Sequence, residues 1–331
     1  MSVDTDKSVN SSHSNSAHWA NIREKGSVLG MYILLMGYEY GGRRLFRFLL
    51  FPVVLFYFFC HPVARRASRQ YRQRMQIFNP DFPAPRWWHG IRHFWGFATT
   101  LLDKLEVWRG RITRADVCIH NGEIIDKLLA RGQGAVILIS HLGNFEICQA
   151  LSEDRPNLQL TVLQHTAHAQ KFNRILDRHS RETRVEFMQV RDLDVGQAIH
   201  LSERLSSGQF VAISADRIPV VNAERSFSLP FLGRPTPFPT GPFILASALQ
   251  APILIVQCIK RQGRYHISFE MLREAGAVPR SERSQQRERL MSGYVRNLEK
   301  HCLMAPWQWY NFYPYWYDVE TNRPSTTQER S

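Results

Sequence analysis

Two residues of this chain, His141 and Glu146, have the types and spacing that offer acid–base chemistry. A carboxylate on one nitrogen of an imidazole fixes the tautomer and leaves the other nitrogen free to accept a proton. This is a general base with its orienting group, and no nucleophile accompanies it, since the chain has no Gly-x-Ser-x-Gly elbow. On a continuous helix, residues five apart point about 140° away from each other and cannot touch. The pair therefore needs a turn, and Gly143 between them lets the backbone fold back. With 13 histidines and 29 acidic residues, about one such spacing arises by chance, and the chain has one. The setting must decide.

That setting is a strand handing over to a helix. Ala135 to Ile139 is a short apolar run opened by Gly134 and closed by Ser140 and His141, the pattern of a strand buried on both faces. Leu142-Gly-Asn144 supplies turn residues, and Phe145 to Leu151 reads as the opening of a helix. In α/β sheets, ligands bind where strands end in this way.

The block Ser140-His-Leu-Gly-Asn-Phe-Glu146 resembles the His-x4-Asp/Glu motif of the lysophospholipid acyltransferase superfamily, and its wording is most similar to the late lipid A acyltransferases of Gram-negative bacteria. The resemblance implies that His141 deprotonates an acceptor hydroxyl, that Glu146 orients His141, and that acyl comes from an acyl carrier protein or CoA thioester. A thioester is already activated, so only the alcohol needs a base. No cofactor and no metal are implied. Asn144, inside the motif, is expected to contact substrate.

Downstream the chain alternates. Strands are expected at 158–163, 185–190 and 210–214, and helices at 167–180 and 195–205, which predicts β-α units and a largely parallel mixed sheet flanked by helices. In the basic 167–180 helix, Lys171 and Arg174 are candidates for an anionic substrate group. A second informative block begins at Ala215-Asp216-Arg217, directly after a strand, and so at the same sheet end as His141 if the two strands are parallel. Five prolines between 230 and 242 predict a stiff, semi-extended loop. Gly241 opens the following helix, whose free N–H groups could hold an oxyanion. Asp216-Arg217, Phe-Leu-Gly-Arg234 and Pro-Thr-Gly241-Pro also resemble the family, and Asp216, Arg217, Arg234 and Gly241 are the expected substrate contacts. A guanidinium grips phosphate or carboxylate oxygens in a fixed fork.

The 331 residues carry a formal charge of +13, which calls for an anionic partner. No zinc finger, helix-turn-helix or RNP signature supports nucleic acid; acidic lipid and acidic carrier protein fit the charge. Phe48 to Cys60 is thirteen residues of apolar and aromatic character, interrupted by Pro52 and flanked by arginines. As a helix it would span about 20 Å against a hydrocarbon core of roughly 30 Å, so a segment lying in the membrane interface is expected. The mixture of tryptophan and basic residues in 85–97 continues that theme. The five scattered cysteines suit a reduced compartment. The expected organisation is a disordered 1–17, a helical, aromatic and basic membrane-associated segment over 18–110, an α/β acyltransferase core over 111–317 and a disordered tail over 318–331. The expected location is the cytoplasmic face of a bacterial inner membrane.

Pro306-Trp-Gln-Trp309 is similar to the element on which the family closes. Basic residues usually follow there, and aromatic ones stand here, a departure that weighs against a lipid A precursor as acceptor. With His18 to Ser27, it resembles the branch of predicted acyltransferases linked to aryl polyene pigments. Two other readings remain open. Asp192-Leu-Asp194 has the form of a metal-dependent glycosyltransferase motif, although an acidic helix cap explains it as well. A non-catalytic lipid-binding protein of the same fold would also fit.

Overall fold

The structure, a computed structural model, describes residues 28–151, 155, 157–164, 185–189, 195–218, 226–313 and 315–316. The expected helix over 167–180 with Lys171 and Arg174, the Asp192-Leu-Asp194 motif and both expected disordered ends lie outside the described residues.

A seven-stranded sheet forms the centre. Its strands are β1 (Val117–His120), β2 (Val136–Ile139), β3 (Leu160–Gln164), β4 (Val185–Gln189), β5 (Phe210–Ser214), β8 (Ile253–Arg261) and β9 (Arg264–Arg273), in the order β1-β9-β8-β2-β5-β3-β4. All neighbours are parallel except β8 and β9, which form a hairpin. The expected α/β class and largely parallel mixed sheet are present. Alternation along β2 explains why the sheet is covered twice. Val136 and Leu138 enter one core cluster and Ile137 and Ile139 the other, so both faces of the strand must be dry.

On the face of Ile137 and Ile139 lie three helices: α1 (Val28–Cys60), α3 (Trp87–Trp108) and α4 (Glu123–Ala130). The opposite face is covered by α2 (Pro62–Phe78), α5 (Val195–Ser206), α6 (Gly241–Ala248), α7 (Arg283–Met304) and the aromatic segment 305–316. The thirteen apolar residues 48–60 are the second half of α1, which is broken at Gly42 (φ 61°, ψ −156°), a conformation open to glycine. The chain turns by 91° between α1 and α2. Among the described residues no single helix is long and apolar enough to cross a membrane.

Two expectations are corrected. The stretch 119–131, which ahead of Gly132 reads in the sequence as a helix, is not one helix: β1 occupies its start, and α4 begins only at Glu123 after the Asn121-Gly122 turn. Four residues are too few to show a period of two. The proline-rich 230–242 stretch is not a loop. It contributes to a separate antiparallel hairpin, β6 (Ser226–Phe231) with β7 (Arg234–Pro239). Pro235, Pro237 and Pro239 alternate, so their missing donors fall on one edge of β7, and Arg234, Thr236 and Phe238 face β6. A two-stranded ribbon has an unpaired edge to spare for them.

Candidate active site

The parallel pairing of β2 with β5 places Ile139 opposite Ser214. His141 and Asp216 each lie two residues beyond that pair and leave the sheet together at the carboxyl end of the strands. The His141 Nδ1 is 2.7 Å from Asp216 Oδ1, and the His141 backbone N–H donates to Asp216 Oδ2 at 2.8 Å. Ser214 Oγ lies 3.1 Å from Oδ1 and 3.3 Å from the ring nitrogen, and the Trp309 indole N–H donates to Oδ2 at 3.0 Å. Asp216 is fully buried. Burial alone would raise its carboxyl, but the adjoining His141, Arg217 and the hydrogen bonds hold it well below the usual carboxylate range. An ionised carboxylate only accepts, so the proton of His141 sits on Nδ1 and Nε2 keeps its lone pair. The His141 side chain is 32% exposed, enough for that free edge to meet a substrate. Desolvation and then the Arg217 charge depress its pKa, against the pull of Asp216 and Glu146, which favours the neutral base.

The turn that carries His141 is stitched to two neighbours. The Gly143 N–H donates to the Gln308 carbonyl at 2.8 Å, the Tyr310 N–H to the His141 carbonyl at 2.9 Å, and the Asn144 N–H to the Cys258 carbonyl at 2.9 Å. Gly143 has φ 69°, and a Cβ there would stand 1.8 Å from the Cys258 oxygen, so both backbone conformation and space demand glycine. Residues 305–316 act as a strap across the site. Beyond the Trp309 contact, Tyr315 donates its hydroxyl to the Asp216 carbonyl at 2.7 Å, and Trp316 donates to Thr236 Oγ1 of β7 at 2.8 Å. Buried His93 of α3 holds the Trp309 carbonyl at 2.9 Å through Nε2, while its Nδ1 lies 2.9 Å from Ser68 Oγ of α2. Helices from both faces of the sheet thus meet at the strap.

The expected partnership is altered in one respect. Glu146, in a 3-10 turn over Phe145–Leu151, does not hydrogen-bond His141; its Oε1 accepts from Lys104 Nζ of α3 at 2.6 Å. Burial would raise the Glu146 carboxyl, and the Lys104 charge and hydrogen bond more than offset this. Asp216, expected among the substrate contacts, occupies the orienting place instead. The reason is geometric: a 3-10 turn packed on α3 carries the Glu146 side chain toward Lys104, while the parallel strands bring Asp216 to the ring.

Of the other expected contacts, Asn144 is buried and its side-chain nitrogen donates to the Thr100 carbonyl at 3.1 Å, so it fastens the turn to α3 rather than facing solvent. Arg217 lies close enough for its charge to act on His141, and its Nη2 donates to the Tyr310 carbonyl at 2.9 Å. Arg234 opens β7 at an exposed position, and Gly241 opens α6 with nothing within 4 Å of where a Cβ would stand. Neither is a hydrogen-bond partner of His141, whose partners are Asp216, Ser214 and Tyr310. Sequence reasoning passed over Ser214, Trp309, Tyr315 and Lys104. Ser214 was legible as the residue two before Asp216 on a strand, and Trp309 as the polar-edged member of an aromatic run. Nothing in the sequence singles out Lys104, 42 residues upstream of its partner.

Among the described residues no group of three or more His, Cys, Asp or Glu side chains is placed to hold a metal ion. A buried carboxylate and a partly exposed imidazole oriented by it, with Nε2 hydrogen-bonded to nothing among the described residues, can act as a general base. Such a site, on a parallel α/β sheet and with no serine or cysteine among the described residues on Nε2, suits transfer of a group that arrives already activated. The bacterial lipid A biosynthesis acyltransferase family matches residues 94–317, about two thirds of the chain, and the protein belongs to that family. It is an acyltransferase, and the family's chemistry is acyl transfer to a lipid acceptor. A search of curated proteins finds no match to it.

Proposed function

We propose that this protein is a membrane-associated O-acyltransferase that moves a fatty or polyene acyl group from an acyl carrier protein or CoA thioester to a hydroxyl of a lipid acceptor. The observation that carries the reading is the His141–Asp216 pair, with Nδ1 committed at 2.7 Å and the ring edge open. Nε2 takes the proton of the acceptor hydroxyl as its oxygen attacks the thioester carbonyl. The resulting imidazolium is stabilised by Asp216. Collapse of the tetrahedral intermediate breaks the carbon–sulfur bond, and the departing thiolate recovers the proton from Nε2. Arg217, whose charge already reaches His141, favours the oxyanion in this reading.

A membrane surface as the working location is supported by the outer side of the helical layer. Tyr40, Phe48, Phe56 and Phe59 of α1 and Trp87 and Trp88 of α3 are exposed, as are arginines 44 and 47 of α1. Aromatic side chains mixed with arginine suit the headgroup region, and a bent helix pair suits lying in it. The cytoplasmic leaflet, with its anionic lipids and supply of acyl thioesters, is the compartment we favour. The aromatic strap, in place of basic residues, favours an apolar, polyene-bearing acceptor over a lipid A precursor.

The test is transfer of a labelled acyl group from acyl carrier protein, and separately from CoA, to a total lipid and pigment extract by wild type, His141→Ala and Asp216→Asn. Labelled product from wild type alone supports the reading, and its mass identifies the acceptor. Equal product from His141→Ala would overturn it.

A further inference from the structure

We propose that Lys104 is a positioning residue of the active site: it holds Glu146 away from the His141 ring, so that His141 Nε2 stays open to the acceptor hydroxyl. The inference rests on the acyltransferase reading and deepens it. Lys104 projects from α3 and its side chain is only 11% exposed, an unusual place for an ammonium group. Its Nζ is 2.6 Å from Glu146 Oε1, and Glu146, itself 31% exposed, is close enough to His141 for each of those two charges to act on the other. A half-buried glutamate without a cation would either take up a proton or turn to the nearest donor. His141 is that donor once its ring carries a second proton, and a carboxylate on Nε2 would block the position where the acceptor proton must arrive.

The arrangement also sets charge. Seen from His141, Lys104 and Glu146 form a neutral pair, whereas Glu146 alone would be a second anion beside the ring in addition to Asp216. Among the described residues, the groups that face this point are Asp216 and Arg217 after β5, Glu146 after β2, Lys104 from α3, Cys258 of β8, which lies within range of the Glu146 charge, and Tyr310 from the strap. Next to Lys104, Asp103 is engaged by Lys260 and Arg43, and Glu106 by Arg43 and Tyr38, so neither replaces Glu146 as its partner.

The experiment compares wild type, Lys104→Met, Lys104→Arg, Glu146→Gln and the Lys104→Met/Glu146→Gln double variant, each checked for folding by circular dichroism and thermal melting. Two readouts are taken: kcat/KM against pH, and the pH dependence of diethyl pyrocarbonate modification at His141 followed by peptide mass spectrometry. The second requires no substrate and so stands apart from the acyltransferase reading. Lys104→Met is expected to raise the apparent pKa of His141 by about one unit in both readouts, with kcat/KM down by about tenfold near neutral pH. Lys104→Arg should retain the wild-type profile, and the double variant, which removes both charges together, should lack the pKa rise of Lys104→Met. The proposal is overturned by a folded Lys104→Met protein with a wild-type modification profile, or by a double variant whose loss is the product of the two single losses. Absence of acyl transfer by wild type, with the modification shift intact, would count against the acyltransferase reading and leave the placement of Glu146 by Lys104 standing.

Discussion

Asp216→Asn is the substitution that separates the two carboxylates most sharply. Oδ2 of Asp216 receives two obligatory donors, the His141 backbone N–H and the Trp309 indole N–H, whereas Oδ1 meets His141 Nδ1 and the Ser214 hydroxyl, which can serve as donor or acceptor. An asparagine must therefore keep its oxygen at the Oδ2 position and turn its amide nitrogen toward His141 Nδ1. That amide donates, so Nδ1 must accept, the ring proton moves to Nε2, and the base faces substrate with no lone pair. The charge loss adds to this. At a charge separation of about 4 Å and an effective dielectric constant near 20, a carboxylate stabilises an imidazolium by about 4 kcal/mol, or roughly a thousandfold in rate. Glu146, which makes no hydrogen bond to the ring and is balanced by Lys104, supplies less; about 1 to 1.5 kcal/mol, near tenfold, is expected for Glu146→Gln. Initial rates of acyl transfer for both variants, with near-ultraviolet circular dichroism to confirm native packing, measure the ratio. A folded Glu146→Gln protein that loses as much activity as Asp216→Asn would refute the assignment of the orienting role.

Three further outcomes follow from the same geometry. Trp309→Phe removes one donor from a buried carboxylate and should cost about 1.5 to 3 kcal/mol in stability, read from denaturant midpoints, together with a several-fold drop in kcat. Gly143→Ala forces a Cβ against the Cys258 carbonyl in a left-handed turn and should yield an inactive protein with a thermal midpoint many degrees lower; an active, stable variant would mean that the turn is not held against β8 as described. His93, neutral and buried with its pKa pushed down to about 3, binds fewer protons when folded than when unfolded at any pH from about 6.5 down to that value, so stability should fall with acidification through this window by up to about 1.4 kcal/mol per unit. Urea titrations of wild type and His93→Gln across pH 7 to 4 should show the dependence weakened in the variant.

The parts of this molecule that were legible in its sequence are those whose signal is local. The apolar run into His141, the β-α alternation and the strand end before Asp216 each carry their own periodicity or punctuation, and the parallel β2–β5 pairing brings the first and the last of these to one place. What escaped depends on partners distant in the chain. Asp216 accepts from Trp309 93 residues on, and Glu146 from Lys104 42 residues back, and no spacing rule ties such pairs together. The His-x4-Glu spacing points to His141 and to the nearer acid, while the fold sets a farther one, Asp216, against the ring. The prolines of β7 misled for a different reason: they exclude a central strand, yet a free-standing ribbon tolerates them.

The strap has a consequence for biosynthesis. Asp216 is complete only when Trp309 and Tyr315 have reached it, and the turn of His141 only when Gln308 and Tyr310 have. These contacts close loops of roughly a hundred residues or more, the kind that form late in folding. During synthesis, the sheet strands through β5 emerge well before the strap does, so a nascent chain carries the base and its carboxylate without the groups that align them. On the proposed mechanism, the chain becomes competent only once it has been made through residue 316, after the strap has closed on Asp216 and on the turn of His141.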